Sequence, residues 1–178
     1  MGAGLLYAAI RARPLTRVAD LTWRVLAGVN MPAAEFCALQ ALARTSGEGH
    51  VILERSRDDF ARLLGYCAIS VSQGGYNTLM ETLQARARTV VVPFAAGNET
   101  EQTLRVDLLQ QKGVLEWVKE SELTPQSLAA AIDRAMLKAR PERVPVDLGG
   151  ARKSAQWLVE WIRSAGDRLR PEASGAMK

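Results

Sequence analysis

The chain has 178 residues, of which 48% are hydrophobic and 24% are charged, and its formal net charge is +4. This composition excludes a disordered chain, and the length allows one domain with a substantial hydrophobic core. Basic and acidic residues are interspersed rather than gathered in one stripe, so we expect no nucleic acid among the partners.

Short β-branched segments alternate with longer amphipathic segments along the chain. The predicted strands are 22–28, 50–54, 68–72, 89–94 and 113–118. The predicted helices are 2–12, 33–45, 58–65, 75–87, 99–112, 125–139 and 150–165. This alternation predicts an α/β fold, a Rossmann-like parallel sheet flanked by helices.

A Gly-Ala-Gly segment at residues 2–4 precedes the first predicted helix, and no strand comes before it. In a doubly wound domain such a turn follows the first strand, which lies in the middle of the sheet. We therefore expect the first strand of the sheet to be missing here, unless these glycines are incidental.

Capping residues mark several helix ends in the second half of the chain. Asn98 is a predicted N-cap with Glu101 at capping-box spacing, and Gly113 ends the same helix. Thr124 is expected to cap the next helix, with Pro125 at its first position.

These boundaries predict one Rossmann-like domain over residues 1–140. A Pro-rich connector and the last helix of the same domain follow over 141–165, and 166–178 are expected to form a disordered tail. No segment approaches the roughly 18 apolar residues that cross a bilayer, and no secretory signal is present. We expect a cytoplasmic protein, with peripheral association at the inner face of the cell membrane left open.

The two cysteines, Cys37 and Cys67, stand apart without the close spacing of a metal or redox motif. Both have apolar neighbours in the sequence, so we expect buried free thiols in a reducing compartment. We expect no metal site.

The first candidate site is the segment "SVSQGGYNTLMETL" at residues 70–83. Gly74 and Gly75 follow a predicted parallel strand and precede a helix, where unpaired N–H groups favour an anion. Asn77 and Thr78 add donors to a diphosphate site, and helical spacing places Glu81 on their face, where it can accept hydrogen bonds from sugar hydroxyls. The set suits a nucleoside diphosphate. The alternative is a Gly-Gly turn with a solvated glutamate.

Two further joins between strand and helix carry polar residues. Glu101 and Gln102 open the helix after the strand at 89–94 and can reach ligand hydroxyls, although a capping box also explains Glu101. Arg55 and Arg57 follow the strand at 50–54, where backbone groups can meet a base edge. A solvated, charged helix start is equally compatible with that segment.

The residues from 70 to 113 resemble a known family. The segments "SVSQGGYNTLMETLQARARTVVVPF" and "NETEQTLRVDLLQQKG" are similar to the C-terminal, nucleotide-sugar-binding half of GT-B glycosyltransferases, above all to glycosyltransferase family 28. The resemblance extends over most of the chain, to about residue 139.

The resemblance implies a role for each matching residue. Gly74, Gly75 and Thr78 would hold the diphosphate, Glu81 the ribose, and Glu101 and Gln102 the donor sugar. The segment around Arg57 would read the uracil. Two departures, Gln73 in place of an arginine and Arg105 in place of an asparagine, leave the sugar and acceptor specificity open.

The implied function is that of the donor-binding domain of an inverting, UDP-sugar-dependent glycosyltransferase that transfers a hexosyl or N-acetylhexosaminyl group. The donor is a substrate, and no cofactor is implied. The acceptor site and the catalytic base would lie in an N-terminal domain or a partner subunit, so no catalytic residue is assigned. Any peripheral association with the membrane would also occur through that N-terminal domain or partner subunit. The alternatives are a fragment of a GT-B UDP-sugar epimerase and a non-catalytic UDP-sugar-binding subunit of a split transferase.

Overall fold

The structure is a computed structural model that describes residues 2–94, 100–143 and 150–168. The chain divides into two compact units, Met1–Pro145 and Val146–Lys178. We describe each unit by itself. The assignment of the connector and the last helix to the preceding domain stays a prediction.

All the predicted strands and helices are present, with bounds that differ by a few residues. The strands are β1 Trp23–Leu26, β2 Val51–Glu54, β3 Ser70–Gln73, β4 Thr89–Val92 and β5 Glu116–Trp117. The helices are α1 Ala3–Ala12, α2 Ala33–Ser46, α3 Phe60–Tyr66, α4 Tyr76–Gln84, α5 Thr100–Gln111, α6 Pro125–Leu137 and α7 Gly150–Arg168, with short 3-10 turns at Arg13–Leu15 and Glu120–Glu122. β4 ends before Pro93 because proline has no N–H to donate to a ladder.

The strands form parallel sheets, which confirms the fold class, but their hydrogen bonds define two sheets rather than one. β1 pairs with β2, and β3, β4 and β5 form a separate sheet in that order. The doubly wound fold has the strand order 3-2-1-4-5-6, with strand 1 in the middle. Without strand 1, the remaining five strands form one group of two, 3-2, and one group of three, 4-5-6. The observed division has the same pattern.

Helix α1 connects the cores of the two sheets. Leu5 shares one buried cluster with Val90 of β4 and Leu128 of α6. Ile10 shares a second cluster with Val25 of β1. Because α1 contributes to both clusters, it joins the two sheets into one unit, although no ladder among the described strands connects them.

Arg140 anchors the end of the first unit. Its guanidinium donates to the carbonyl oxygens of Gly65 at 2.6 Å, Ala85 at 3.2 Å, Leu64 at 3.3 Å and Cys67 at 3.4 Å. These carbonyls lie at the C-terminal ends of α3 and α4, where helices lack intrahelical donors. One arginine therefore caps two helices.

Two predicted helix ends are confirmed. Thr124 caps α6 in a reciprocal capping box with Ser127, directly before Pro125. Gly113 follows α5 with a left-handed φ of 70°, which glycine adopts without steric strain. The predicted N-cap Asn98 lies outside the described residues.

The prediction that both cysteines are buried is wrong for Cys37, which is exposed. The buried stripe of α2 consists of Leu39 and Ala43. Two residues along a helix correspond to about 200°, so Cys37 faces away from Leu39. Cys67 is half-buried, and that burial raises the pKa of its thiol.

The second unit contains α7. The helix ends at Arg168 rather than at residue 165, so it includes the start of the predicted tail; residues 169–178 lie outside the described residues. Trp157 and Trp161 are exposed on this helix. No helix in the described ranges is long and apolar enough to span a membrane.

Candidate functional site

The turn between β3 and α4 leaves a helix start without a side-chain cap. Gly75, the N-cap, has φ −58° and ψ 134°, and no side chain among the described residues accepts a hydrogen bond there. The Gly75 N–H donates to the Gln73 carbonyl at 2.8 Å. The next three N–H groups, from Tyr76 to Thr78, have no acceptor within the helix. The turn therefore presents backbone donors and the positive end of the helix dipole.

The two glycines of this turn have different surroundings. A Cβ added at Gly74 would lie 3.3 Å from Gln102 Oε1 and 3.5 Å from Pro93 Cα, whereas a Cβ added at Gly75 would meet nothing within 4 Å. Gly74 is needed for close packing, and Gly75 faces space that no described residue fills.

The structure brings Gln102 to the first candidate site. Its Oε1 accepts a hydrogen bond from the Phe94 N–H at 3.3 Å and lies beside Gly74. Phe94, which follows β4, and Gly74, which follows β3, therefore both contact this side chain, and the sequence prediction of a shared ligand required such proximity.

The N-terminus of α1 reaches the same edge. Gly2 precedes α1 with a φ of 91°, and a Cβ added there would lie 3.5 Å from Gln73 Oε1. Gln73 is the last residue of β3. Helix starts from α1, α4 and α5 thus lie around the carboxyl end of β3, which is where open parallel sheets bind ligands.

The polar side chains of α4 lie on one face of its first two turns. Asn77 and Glu81 are exposed and Thr78 is half-buried. The Thr78 carbonyl accepts a hydrogen bond from Thr82 Oγ1 at 2.6 Å, which links the first turn to the second. The diphosphate role of Asn77 and Thr78 and the ribose role of Glu81 stay predictions.

Glu101 is engaged in a contact that the sequence prediction missed. It forms an ion pair with Arg105 one turn later on α5, and the Arg105 guanidinium lies 5.1 Å from the centroid of the Tyr76 ring. The (i, i+4) spacing of Glu101 and Arg105 was a readable signal for the ion pair. The ring contact joins α5 to the first residue of α4.

The Arg57 side chain is held by two carboxylates. It donates to Asp59 at 2.7 Å and 3.0 Å and to Glu54 at 3.0 Å. These hydrogen bonds raise the pKa of Arg57 and lower the pKa of Asp59. Arg24, and then Arg57, likewise lower the pKa of Glu54. Arg57 follows β2, in the other sheet from β3, so any role in base binding rests on its backbone and stays a prediction.

Arg55 connects the loops after β1 and β2. It donates to the Met31 carbonyl at 2.7 Å and its guanidinium lies 4.5 Å from the centroid of the Phe36 ring. The Arg55 carbonyl accepts from the Gly28 N–H at 2.8 Å. This arginine therefore has a structural role that the sequence prediction did not separate from a ligand contact.

Comparison with known proteins identifies a family and several relatives. The model of the glycosyltransferase family 28 C-terminal domain matches residues 49–146. An uncharacterized glycosyltransferase of Methanopyrus kandleri is 29% identical over 110 residues, 62% of this chain and 31% of that protein. The UDP-N-acetylglucosamine--N-acetylmuramyl-(pentapeptide) pyrophosphoryl-undecaprenol N-acetylglucosamine transferase of Geobacillus thermodenitrificans is 26% identical over 118 residues, 66% of this chain and 33% of that protein.

A solved structure shares the fold. MurG from Acinetobacter baumannii superposes with a TM-score of 0.62 and 18% identity, over 90% of this chain and 46% of that one. The chain spans about a third of the length of the curated relatives it matches. The family match covers more than half of the residues, including both strand-to-helix turns around Gly74 and Gln102. This chain belongs to the glycosyltransferase family 28 C-terminal domain family.

Proposed function

We propose that this domain binds a UDP-sugar donor, with the diphosphate at the Gly74–Gly75 turn. The observation that carries the proposal is the uncapped start of α4, which has open space at Gly75 in a domain of glycosyltransferase family 28. Backbone N–H groups at a helix start bind phosphate through hydrogen bonds and the helix dipole. The relative from Geobacillus thermodenitrificans carries a UDP-sugar in its name, which supports uridine as the nucleoside.

The side chains around the turn divide the donor among them. The Thr78 hydroxyl adds a donor to the diphosphate, and Glu81 accepts hydrogen bonds from the ribose hydroxyls. Gln102, held beside Gly74, lies within reach of the donor sugar, and Glu101 opens the same helix. Negative charge on the diphosphate grows as the sugar leaves, so donors aimed at it lower the barrier to transfer more than they stabilise the bound ground state.

We also propose that transfer, with inversion at the sugar carbon, needs a second domain or a partner subunit. The present domain supplies a donor site, whereas a base to activate the acceptor and a place to hold it are further requirements of the reaction. The chain spans about a third of its curated relatives, which supports this division of labour. We therefore expect the isolated chain to bind UDP and to transfer sugar slowly or not at all.

Calorimetric titration of the chain with UDP, UDP-N-acetylglucosamine, UDP-glucose, GDP and NAD tests the donor site. We expect UDP and its sugars to bind, with GDP and NAD weaker. Glu81→Ala should lower UDP affinity about tenfold, through loss of the hydrogen bonds to the ribose. Glu35→Ala, which removes an exposed carboxylate from the first turn of α2, is the matched control and should bind as the parent does.

A circular-dichroism melt on each sample separates loss of binding from loss of folding. If the folded parent does not bind UDP, or if Glu81→Ala binds it as tightly as Glu35→Ala does, the proposed donor site is wrong.

A further inference from the structure

We propose that Arg105 is a second diphosphate ligand of this site, and that it exchanges the Glu101 carboxylate for phosphate when the nucleotide binds. The inference rests on the proposed function, because it names a residue that would contact the same ligand.

The position of Arg105 is defined by two contacts. Its guanidinium lies 5.1 Å from the centroid of the Tyr76 ring, and Tyr76 is the residue directly after the Gly74–Gly75 turn. Its other partner is Glu101 on the same helix. Arg105 therefore contacts the side chain of the first residue of α4, the helix whose N-terminal amides would hold the diphosphate.

Exposure shows which partner is replaceable. The Arg105 side chain is 22% exposed, whereas that of Glu101 is 84% exposed. An ion pair with so exposed a carboxylate is weak because water competes for both groups. A diphosphate offers more charge and several oxygens to the same planar donor, which favours bidentate phosphate contacts. The Tyr76 ring can hold the guanidinium at the site during the exchange.

The other arginines considered at this edge have fixed partners. Arg57 is held by Glu54 and Asp59, and Arg55 by the Met31 carbonyl. Among these three side chains, Arg105 is the one whose ionic partner is a largely exposed carboxylate. It is therefore the arginine that can move to phosphate without leaving a buried charge unpaired.

The exchange would couple two parts of the donor site. While Arg105 pairs with Glu101, the carboxylate is occupied; once Arg105 contacts phosphate, Glu101 is released toward the sugar hydroxyls. Binding of the diphosphate would thereby prepare the sugar site. UDP should gain more from Arg105 than UMP does, because UMP lacks the second phosphate.

The test compares UDP and UMP by calorimetry on the full chain. Arg105→Gln should lower UDP affinity about tenfold or more, the effect of losing a hydrogen bond to a charged group. UMP affinity should change less than about threefold, since the second phosphate is the group proposed to contact the guanidinium. Arg44→Gln, at an exposed arginine in the last turn of α2, is the matched control for removing one positive charge.

Glu101→Gln distinguishes the exchange from a structural role. If Glu101 competes with phosphate, its neutral variant should bind UDP about twofold to fivefold more tightly, the effect of removing a weak exposed ion pair. A purely structural pair would make both variants bind UDP more weakly. Should Arg105→Gln fail to fold, Arg105→Lys replaces it, because lysine keeps the positive charge but lacks the planar guanidinium that binds phosphate in a bidentate manner. Arg105→Lys should bind UDP more weakly than the parent and Arg44→Gln do, but should still bind it.

Each result decides between the claims. Equal UDP affinity in Arg105→Gln and the parent overturns the role of Arg105 and leaves the donor site standing. Equal losses for UDP and UMP, or weaker UDP binding in Glu101→Gln, overturn the exchange. A folded parent that binds neither nucleotide overturns the donor site, and this inference with it.

Discussion

Gly75→Ala separates the stability of the Gly-Gly turn from its proposed phosphate site. Gly75 has φ −58° and ψ 134°, a conformation that alanine adopts without strain. A Cβ added there meets nothing within 4 Å. Alanine restricts the unfolded chain, which favours folding by about 0.4–1 kcal/mol, but it is a poorer N-cap than glycine by a comparable amount, so the free energy of unfolding should change by less than about 1 kcal/mol.

The same methyl group should weaken nucleotide binding. In the proposed complex, phosphate oxygens come within about 2.7–2.9 Å of the nitrogens of this turn, and a methyl group on the turn competes for that space. Displacing a phosphate from one charge-assisted hydrogen bond costs about 1.5–3 kcal/mol, or roughly tenfold to a hundredfold in affinity. The expected result is a variant that is about as stable as the parent and that binds UDP poorly.

Thermal melts and UDP titrations on three proteins measure both effects. Gly65→Ala is the matched control, because Gly65 lies in α3 and a Cβ added there also meets nothing within 4 Å. It should gain stability, as alanine does in place of glycine in a helix, and keep the UDP affinity of the parent. UDP binding by Gly75→Ala at the parent affinity would refute the placement of phosphate at this turn, and a large loss of stability would refute the steric argument.

Three further predictions concern the rest of the fold. Arg140→Gln should lower the free energy of unfolding by about 2–3 kcal/mol in urea titrations, because four carbonyl oxygens lose a charged donor; a loss below about 0.5 kcal/mol would contradict the double-cap role. Burial disfavours the charged form of Glu116, but hydrogen bonds from Lys138 and Arg134 outweigh it and lower the pKa of this carboxyl below 4.5. A carboxyl with a lowered pKa stabilises the fold at pH values above its pKa in the unfolded chain, and this stability is lost as the pH falls through its pKa in the folded protein. The melting temperature of Glu116→Gln should therefore decline less than that of the parent between about pH 5 and about pH 3. Parallel declines of the two proteins would show that Glu116 contributes nothing. A four-residue Val/Ile strand placed directly before Gly2 should raise the melting temperature by pairing with the edges of β1 and β3 that have no ladder partner among the described strands, and the same insertion with a central proline should not.

Local patterns were sufficient for the elements and their order. The alternation of β-branched and amphipathic segments predicted each strand and helix, and capping chemistry at Thr124 and Gly113 marked two helix ends correctly. The division into two sheets was beyond such patterns, because ladder pairing joins residues far apart in the chain. The burial of Cys37 was mispredicted because apolar neighbours in sequence do not give the phase of a helix against its core.

The candidate site shows the same boundary between local and long-range information. Sequence could name polar residues after three strands, since the carboxyl ends of parallel strands share one edge. It could not tell which charged groups already have partners. Arg57 was expected near a base, yet its guanidinium is held by Asp59 and Glu54.

The two glutamates of the proposed donor site differ in whether they already have an ionic partner among the described residues. Glu81 and Glu101 were assigned to sugar hydroxyls by the same reasoning, but Glu101 pairs with Arg105 in the structure. The contact of Arg105 with Tyr76, like that of Gln102 with Gly74, joins residues that are far apart in the chain and depends on where α5 lies relative to the β3–α4 turn. Because a carboxylate held by an arginine must exchange partners before it accepts a hydroxyl, substituting Glu101 should affect UDP and UDP-sugars in opposite directions. Substituting Glu81 should weaken both, since each carries the ribose.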